Sequence, residues 1–240
     1  MLSSSVGRLL AALVILLALA TSCATTGARN AADADYVLAY LKTGPNSGKQ
    51  TKEESAKIFG GHMANIKRLA DEGDLCIAGP FGPARDKSWR GILLLDTPSV
   101  EHAEELVATD PGMQSGVFIA ELHAVRASTA LRRVMEFERA MLAEQAVAKE
   151  EAPPNIRGYV MVTATDGDAA AKTLAARADK IGRVIWCARL LEGGGGVFAL
   201  DATKPEDVQA SLSDSPDLGV DGWWSTTSIM KLPAEAGSWE

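Results

Sequence analysis

Residues 36–80 read YVLAYLKTGPNSGKQTKEESAKIFGGHMANIKRLADEGDLCIAGP. The first six residues are apolar or aromatic and predict a β-strand. Thr51 followed three residues later by Glu54 is a capping box, and the apolar stripe after it predicts a helix that Gly73 ends. A second strand then leads to Gly79-Pro80. The stretch therefore predicts a strand, a helix and a strand in succession.

The sequence beyond Pro80 completes a ferredoxin-like unit. A strand Gly91-Ile-Leu-Leu-Leu follows, then a short helix over Ser99 to Ala108 and a last strand that begins at Val117. The order β-α-β-β-α-β is that of the split βαβ motif. Residues 36–127 are therefore expected to fold as one such unit.

The same pattern returns in weaker form over residues 157–232. Aligning the glycines and prolines that end the corresponding helices puts Ala171 at the position of His62 and Ser215 at the position of Asp110. The second copy thus lacks both residues of the first copy that are suited to acid-base chemistry. This suggests that the first copy holds the active site and that the second copy only supports the fold.

Residues 128–156 predict a connecting helix and linker. Ser128 to Glu151 has strong helix propensity and an apolar spacing, and the prolines after it end the helix. We therefore expect an α+β fold in which two tandem ferredoxin-like (βαββαβ) units pack face to face as an intrachain pseudo-dimer. Residues 233–240 form a tail in this interpretation.

Residues 1–23 predict a targeting segment, and residues 24–35 a flexible tether. A 12-residue apolar run, too short to span a bilayer, leads to Leu19-Ala-Thr-Ser-Cys23. This resembles a bacterial lipoprotein precursor, which implies cleavage before Cys23, acylation of its thiol with chains such as palmitate, and anchoring in the lipid bilayer. Ala24 favours the periplasmic face of the outer membrane within the cell envelope. An ordinary secretory peptide is the alternative.

Composition excludes several functions. The net charge of −7 and the absence of a basic cluster argue against nucleic acid as a partner. Cys76 and Cys187 lie in apolar stretches and predict buried free thiols; a disulfide is the alternative. The glycines 193–196 join two predicted strands and lack the Lys-Ser/Thr of a phosphate-binding loop, so they predict a hairpin. We expect no metal site and no cofactor.

The first unit resembles the YCII-related family, a branch of the dimeric α/β-barrel proteins. His62, Gly73-Asp74-Leu75, Ala78-Gly79-Pro80 and Asp110-Pro111 carry the resemblance in this order. It implies a catalytic pair, His62 and Asp110, in an apolar cavity. The expected substrate-binding residues around the pair are Gly79, Pro80, Phe81, Trp89 and Pro111. Gly112 stands where the family usually has phenylalanine, which alters one wall of the expected cavity.

A histidine beside a carboxylate can take up and return a proton near neutral pH. With the resemblance, the pair predicts a lyase or isomerase that acts on a small molecule without a cofactor. The alternative is a non-catalytic ligand-binding or structural envelope lipoprotein, in which His62 lies on a helix surface and Asp110 only begins a turn. The sequence predicts neither the substrate nor the oligomeric state.

Overall fold

The computed structural model describes residues 33–82, 84–148 and 155–239. The predicted targeting segment, with Cys23, lies outside this range. The elements of the first unit are β1 (Asp33–Thr43), α1 (Lys52–Glu72), β2 (Leu75–Pro80), β3 (Trp89–Leu95), α2 (Val100–Ala108), α3 (Pro111–Gln114) and β4 (Phe118–Ser128). A 3₁₀ turn, Thr129–Arg133, then leads into α4 (Val134–Ala148).

The second unit repeats this order with shorter helices. Its elements are β5 (Ile156–Ala164), α5 (Gly167–Ala175), α6 (Ala178–Ile181), β6 (Val184–Leu190), β7 (Gly196–Leu200), α7 (Pro205–Ser211) and β8 (Leu218–Thr226), followed by 3₁₀ turns at Thr227–Lys231 and Ala234–Gly237. The fold is therefore α+β with two tandem βαββαβ units and a connecting helix, as the sequence predicts.

The eight strands of the described residues form one antiparallel sheet in the order β2-β3-β1-β4-β6-β7-β5-β8. The two units join where Val125–Ala127 of β4 pairs with Ala188–Leu190 of β6. The outer strands of the order also meet, because Phe81 forms a bridge with Trp223 of β8 and Gly82 donates its backbone N–H to the carbonyl oxygen of Gly222 over 2.7 Å. The sheet is thus nearly closed into a barrel.

The buried apolar residues of the described chain form three cores. The largest contains side chains from both units on the inner face of the sheet, among them Tyr36, Leu38, Trp186 and Trp223, all fully buried. The rings of the two tryptophans meet edge to face with centroids 5.9 Å apart. The other two cores lie on the outer face, one beneath the helices of each unit. The interior of the barrel is therefore a shared core that forms the pseudo-dimer.

Helix α4 contacts both units. Arg139 donates a hydrogen bond to the carbonyl oxygen of Ala70 at the end of α1, and the sulfur of Met141 accepts one from Thr227 after β8. Asn155 bonds to Glu138 across the linker. The connecting helix packs against the barrel and does not extend away from it.

Several sequence-based expectations need correction. The sheets of the two units were expected as separate layers, but their edge strands pair, because each unit leaves an unpaired strand at either edge. Strand β1 begins at Asp33, so the last three residues of the expected tether belong to the sheet. Residues 227–231, at the end of the range expected for the second copy, form a 3₁₀ turn capped by Thr226. Trp239, in the expected tail, packs on Phe198.

Candidate acid-base site

Helix α1 positions His62 on its buried face. Thr51 and Glu54 form the capping box at its start, and Gly73 ends it with φ of 90°, a left-handed conformation that glycine adopts without strain. His62, Asn65 and Leu69 are buried at a spacing of three and four residues, which places them on the side that faces the sheet. His62 is 8% exposed, so its imidazole belongs to the interior.

Asp110 meets this histidine from the start of α3. Its Oδ1 accepts the backbone N–H of Gly112 over 2.7 Å, so the carboxylate caps the helix that Pro111 begins. Its Oδ2 lies 2.6 Å from Nδ1 of His62. Asp110 is 3% exposed. The structure therefore brings together the two residues that the sequence proposes as a pair, and both are held in the interior.

Two glycines allow this approach. A Cβ atom at Gly61 would come within 2.8 Å of the Pro111 ring, so α1 and α3 touch only because residue 61 has no side chain. A Cβ atom at Gly112 would overlap the Phe118 ring, whose centroid is 5.2 Å from that of His62. The ring of Phe118 thus fills space next to His62 that a side chain at position 112 would need.

A further set of polar groups surrounds Asp110 and was missed in the sequence. Asn65 directs its amide N–H₂ to Oδ2 of Asp110 at 3.5 Å, while its carbonyl oxygen accepts a hydrogen bond from Arg68 over 3.0 Å. Arg68 also bonds to the hydroxyl of Thr109. The spacing His62, Asn65, Arg68 was the available signal, because residues three apart share one side of a helix.

The surroundings of Asp110 favour its ionised form. Burial alone raises the pKa of a carboxyl group, yet hydrogen bonds from His62, Gly112 and Asn65, with the charge of protonated His62, hold the pKa of Asp110 below its usual range. An ionised carboxylate only accepts hydrogen bonds, so Nδ1 of His62 carries a proton. In the neutral ring, Nε2 is then the nitrogen with a free lone pair, which is the arrangement of a general base.

An open groove lies beside the pair, with a volume of about 630 Å³. Gly61 and Pro111, the sequence neighbours of His62 and Asp110, form part of its lining. The other lining residues are Lys49, Gln50, Glu54, Lys57, Ile58 and Ser115. The groove therefore offers two lysines, one glutamate and the apolar side chains of Ile58 and Pro111 next to the buried imidazole.

The remaining predicted binding residues lie elsewhere. Phe81 and Trp89 stack with Tyr40 on the inner face of the sheet, with centroids 6.3 Å and 5.1 Å from the Tyr40 ring. Gly79 and Pro80 end β2 at the junction with β8. Only Pro111 accompanies the pair. The expectation of one cavity was wrong because successive strand residues point to opposite faces, and helix α1 covers the outer face.

The inner face also carries ionisable groups without an assigned role. At the same end of the barrel as Trp89, Lys42 pairs with Glu121, and Nε2 of His123 lies 2.9 Å from Glu121. His123 meets the Tyr40 ring edge to face at 5.7 Å. His123 shares a face with Val125 of the barrel core, as strand alternation requires.

Within the described part of the chain, no group of three or more His, Cys, Asp or Glu side chains is arranged to hold a metal ion. No described helix is both long and apolar enough to cross a membrane. Cys76 and Cys187 are buried free thiols, which confirms the sequence-based expectation.

Comparison with known proteins finds a family that is similar to the first unit. Residues 16–126 match the YCII-related domain family. No functionally curated protein matches the chain significantly. Similar solved structures include three substituted forms of chlorite dismutase from Candidatus Nitrospira defluvii. They share 9%, 10% and 9% identity with TM-scores of 0.46, 0.49 and 0.48. The alignments cover 85% of this chain and 96%, 95% and 95% of the others.

The family match contains every residue of the first unit that surrounds the buried imidazole, from Gly61 and His62 on α1 to Asp110 and Phe118. It ends at Arg126, before α4 and the second unit. The chain is therefore similar to the YCII-related domain family over residues 16–126, which include the His62–Asp110 pair.

Proposed function

We propose that this protein is an envelope-anchored lipoprotein whose YCII-related domain catalyses a proton transfer on a small molecule, as a lyase or isomerase without a cofactor. The observation that carries the proposal is the 2.6 Å contact between Nδ1 of His62 and Oδ2 of Asp110 in the interior. In the proposed reaction, Nε2 of His62 removes a proton from an acidic carbon. Asp110 holds the ring in the required tautomer and stabilises the imidazolium that forms.

The groove supports a substrate that carries negative charge. Lys49 and Lys57 line it beside Glu54, and an anionic group of the substrate would pair with the lysines. Arg68 fixes the amide of Asn65, so the N–H₂ group faces Asp110 and the carboxylate cannot turn freely. The proposed anchor rests on Leu19-Ala-Thr-Ser-Cys23 and would hold the domain at the periplasmic face of the outer membrane.

The second candidate is a binding protein without turnover. The observation that favours it is the low exposure of His62, together with the rings of Phe59 and Phe118, whose centroids lie 6.4 Å and 5.2 Å from that of the imidazole. A ligand in the groove would then contact Gly61 and Pro111 without reaching Nε2.

A screen of small carboxylic acids by thermal shift tests the proposal, with the wild type beside His62→Ala and Lys57→Ala. We expect a ligand that stabilises the wild type to lose its effect with Lys57→Ala, and NMR to show its conversion or exchange of its acidic proton for deuterium only where His62 is present. Binding that is lost in Lys57→Ala but shows neither conversion nor exchange in the wild type would establish the binding protein. If the ligand stabilised all three chains equally, the groove would be excluded as its binding site.

A further inference from the structure

The second unit holds an indole ring in a fitted recess on its outer face. Trp239 packs on Phe198 with ring centroids 4.7 Å apart, and the guanidinium of Arg189 lies 4.3 Å from the centre of its ring system. The indole N–H donates to Oδ1 of Asp168 over 2.7 Å. Hydrogen bonds from Trp239 and from Arg189 hold the pKa of Asp168 below its usual range.

Two glycines shape the recess. A Cβ atom at Gly196 would lie 2.6 Å from the ring of Trp239, and one at Gly167 would overlap it. The segment before the ring follows β6, since the carbonyl oxygen of Ser238 accepts the Cys187 thiol over 3.1 Å. A recess bounded by two glycines, an aromatic face, a cation and a carboxylate therefore fits a flat ring with one N–H donor.

This recess is particular to the second unit. The matching registers of β2–β3 and β6–β7 make Pro80, Gly91 and Leu93 the counterparts of Arg189, Gly196 and Phe198. The first unit therefore has neither the cation nor the aromatic face at these positions. Helix α1 begins 21 residues before Gly73, but α5 begins only 15 residues before Gly182, so the second unit lacks the first turns of the longer helix.

We propose that this recess is a binding site for small molecules that carry an indole or a similar flat ring with an N–H donor, and that Trp239 occupies it in their absence. The ligand stacks between Phe198 and Arg189 and donates its N–H to Asp168, while Trp239 moves out. The site is independent of His62 and Asp110 and lies in the other unit. Its two polar contacts come from side chains at the surface, so exchange of the ring requires no opening of the barrel core.

The experiment uses the full chain in detergent with free indole as the probe. In Trp239→Ala we expect indole to bind and raise the melting temperature. We expect 1-methylindole, which lacks the N–H, to bind about tenfold more weakly, the loss typical of a hydrogen bond to a charged group. Adding Asp168→Ala should remove this difference between the two probes. A folded Trp239→Ala chain that binds neither probe, or binds both equally, overturns the proposal.

Exchange is tested in the wild type. In ¹H–¹⁵N spectra the Trp239 indole signal, assigned by its absence in Trp239→Phe, should shift as indole is added. A signal that does not move at saturating indole means that the ring is a fixed part of the fold, and overturns the proposal. If Trp239→Ala does not fold alone, its refolding on addition of indole supports the site, and failure to refold argues against it.

Discussion

The indole N–H of Trp223 donates to the carbonyl oxygen of Gly79 over 3.2 Å, and this bond connects the second unit to the first. Ser225, two residues further along β8, donates in the same way to Ala78 over 2.8 Å. Strands β2 and β8 are not joined by a regular ladder of backbone hydrogen bonds, and these two side-chain hydrogen bonds connect them instead. The tryptophan therefore serves both the barrel core and the junction between the units.

Gly79→Ala should open this junction. The added Cβ atom would overlap the backbone carbonyl oxygen of Trp224. Because a backbone atom cannot rotate away as a flexible side chain can, the two strands must separate. We expect a loss of about 3 kcal/mol in the free energy of unfolding, measured with urea. Ser225→Ala removes one hydrogen bond without adding volume, so its loss should be about 1 kcal/mol. If the two variants lost the same free energy of unfolding, the close approach of the strands at Gly79 would not be what makes the junction sensitive to an added side chain.

Arg85→Met should destabilise the fold through Asp221. This carboxylate is 0% exposed and accepts the Arg85 backbone N–H over 2.7 Å and its side chain over 3.0 to 3.3 Å. Removing the guanidinium leaves a buried charge poorly compensated, and the half-exposed position of Arg85 limits the expected loss to about 2 kcal/mol. The double variant with Asp221→Asn should regain part of it.

The control for this prediction is Arg177→Met, which breaks a bidentate pair with the exposed Asp214 and one hydrogen bond to the carbonyl oxygen of Ser211. We expect a smaller loss there, because exposed ion pairs are screened by solvent. A larger loss in the control would contradict the role given to the buried carboxylate.

Two adjacent glycines of α1 should respond in opposite directions. At Gly60 nothing lies within 4 Å of an added Cβ, so Gly60→Ala should stabilise the fold by about 1 kcal/mol through helix propensity. A Cβ atom added at Gly61 would lie 2.8 Å from the Pro111 ring. Gly61→Ala should therefore displace α3, and the cost should cancel the stabilisation from helix propensity. The NMR signals of the His62 ring should shift in the second variant and stay unchanged in the first.

Asp110→Asn should show a pH-dependent loss of stability. The folded pKa of Asp110 is lowered, so the carboxylate stabilises the fold fully above its unfolded pKa of about 3.9, and this contribution is lost as the pH falls through the folded value. Urea unfolding should therefore separate wild type and variant most above pH 5, and the difference should shrink as the pH falls below about 3.9. The double variant with His62→Ala should lose less than the sum of the single losses, since the two groups form one pair.

Cys23→Ser tests the anchor. A thiol is required for acylation, so we expect the wild type to fractionate with bacterial membranes and the variant to remain unprocessed or to be released. Intact mass of the purified protein measures the acyl chains directly. Cys76→Ser provides the control, because that thiol is buried in the first unit. A wild-type mass without any acyl addition would falsify the lipoprotein assignment.

The order of elements and the His62–Asp110 pair were accessible from sequence because each rests on local signals or on a family pattern. Thr51 and Gly73 mark the ends of α1, and alternating apolar residues mark the strands. The face on which a residue lies was harder. Phe81 precedes an irregular loop, where no two-residue period exists, so its place inside the barrel depends on the pairing of β2 with β8.

Contacts that involve partners far apart in sequence were also beyond prediction. Nothing in the sequence indicated that Asp221 is buried, since its partner Arg85 lies 136 residues earlier in a loop. Trp239 follows the last strand without any periodicity, and only the fold shows that glycines 167 and 196 leave room for its ring. Such contacts become visible once both units are assembled.

Carrying both halves of the barrel on one chain changes how the assembly responds to dilution. When two separate subunits form a barrel, the pair dissociates below a certain concentration, because association depends on mass action. Here α4 keeps the edges of β4 and β6 within reach of each other, so their association is intramolecular and independent of protein concentration. A sparse population of these molecules would therefore keep its barrels intact.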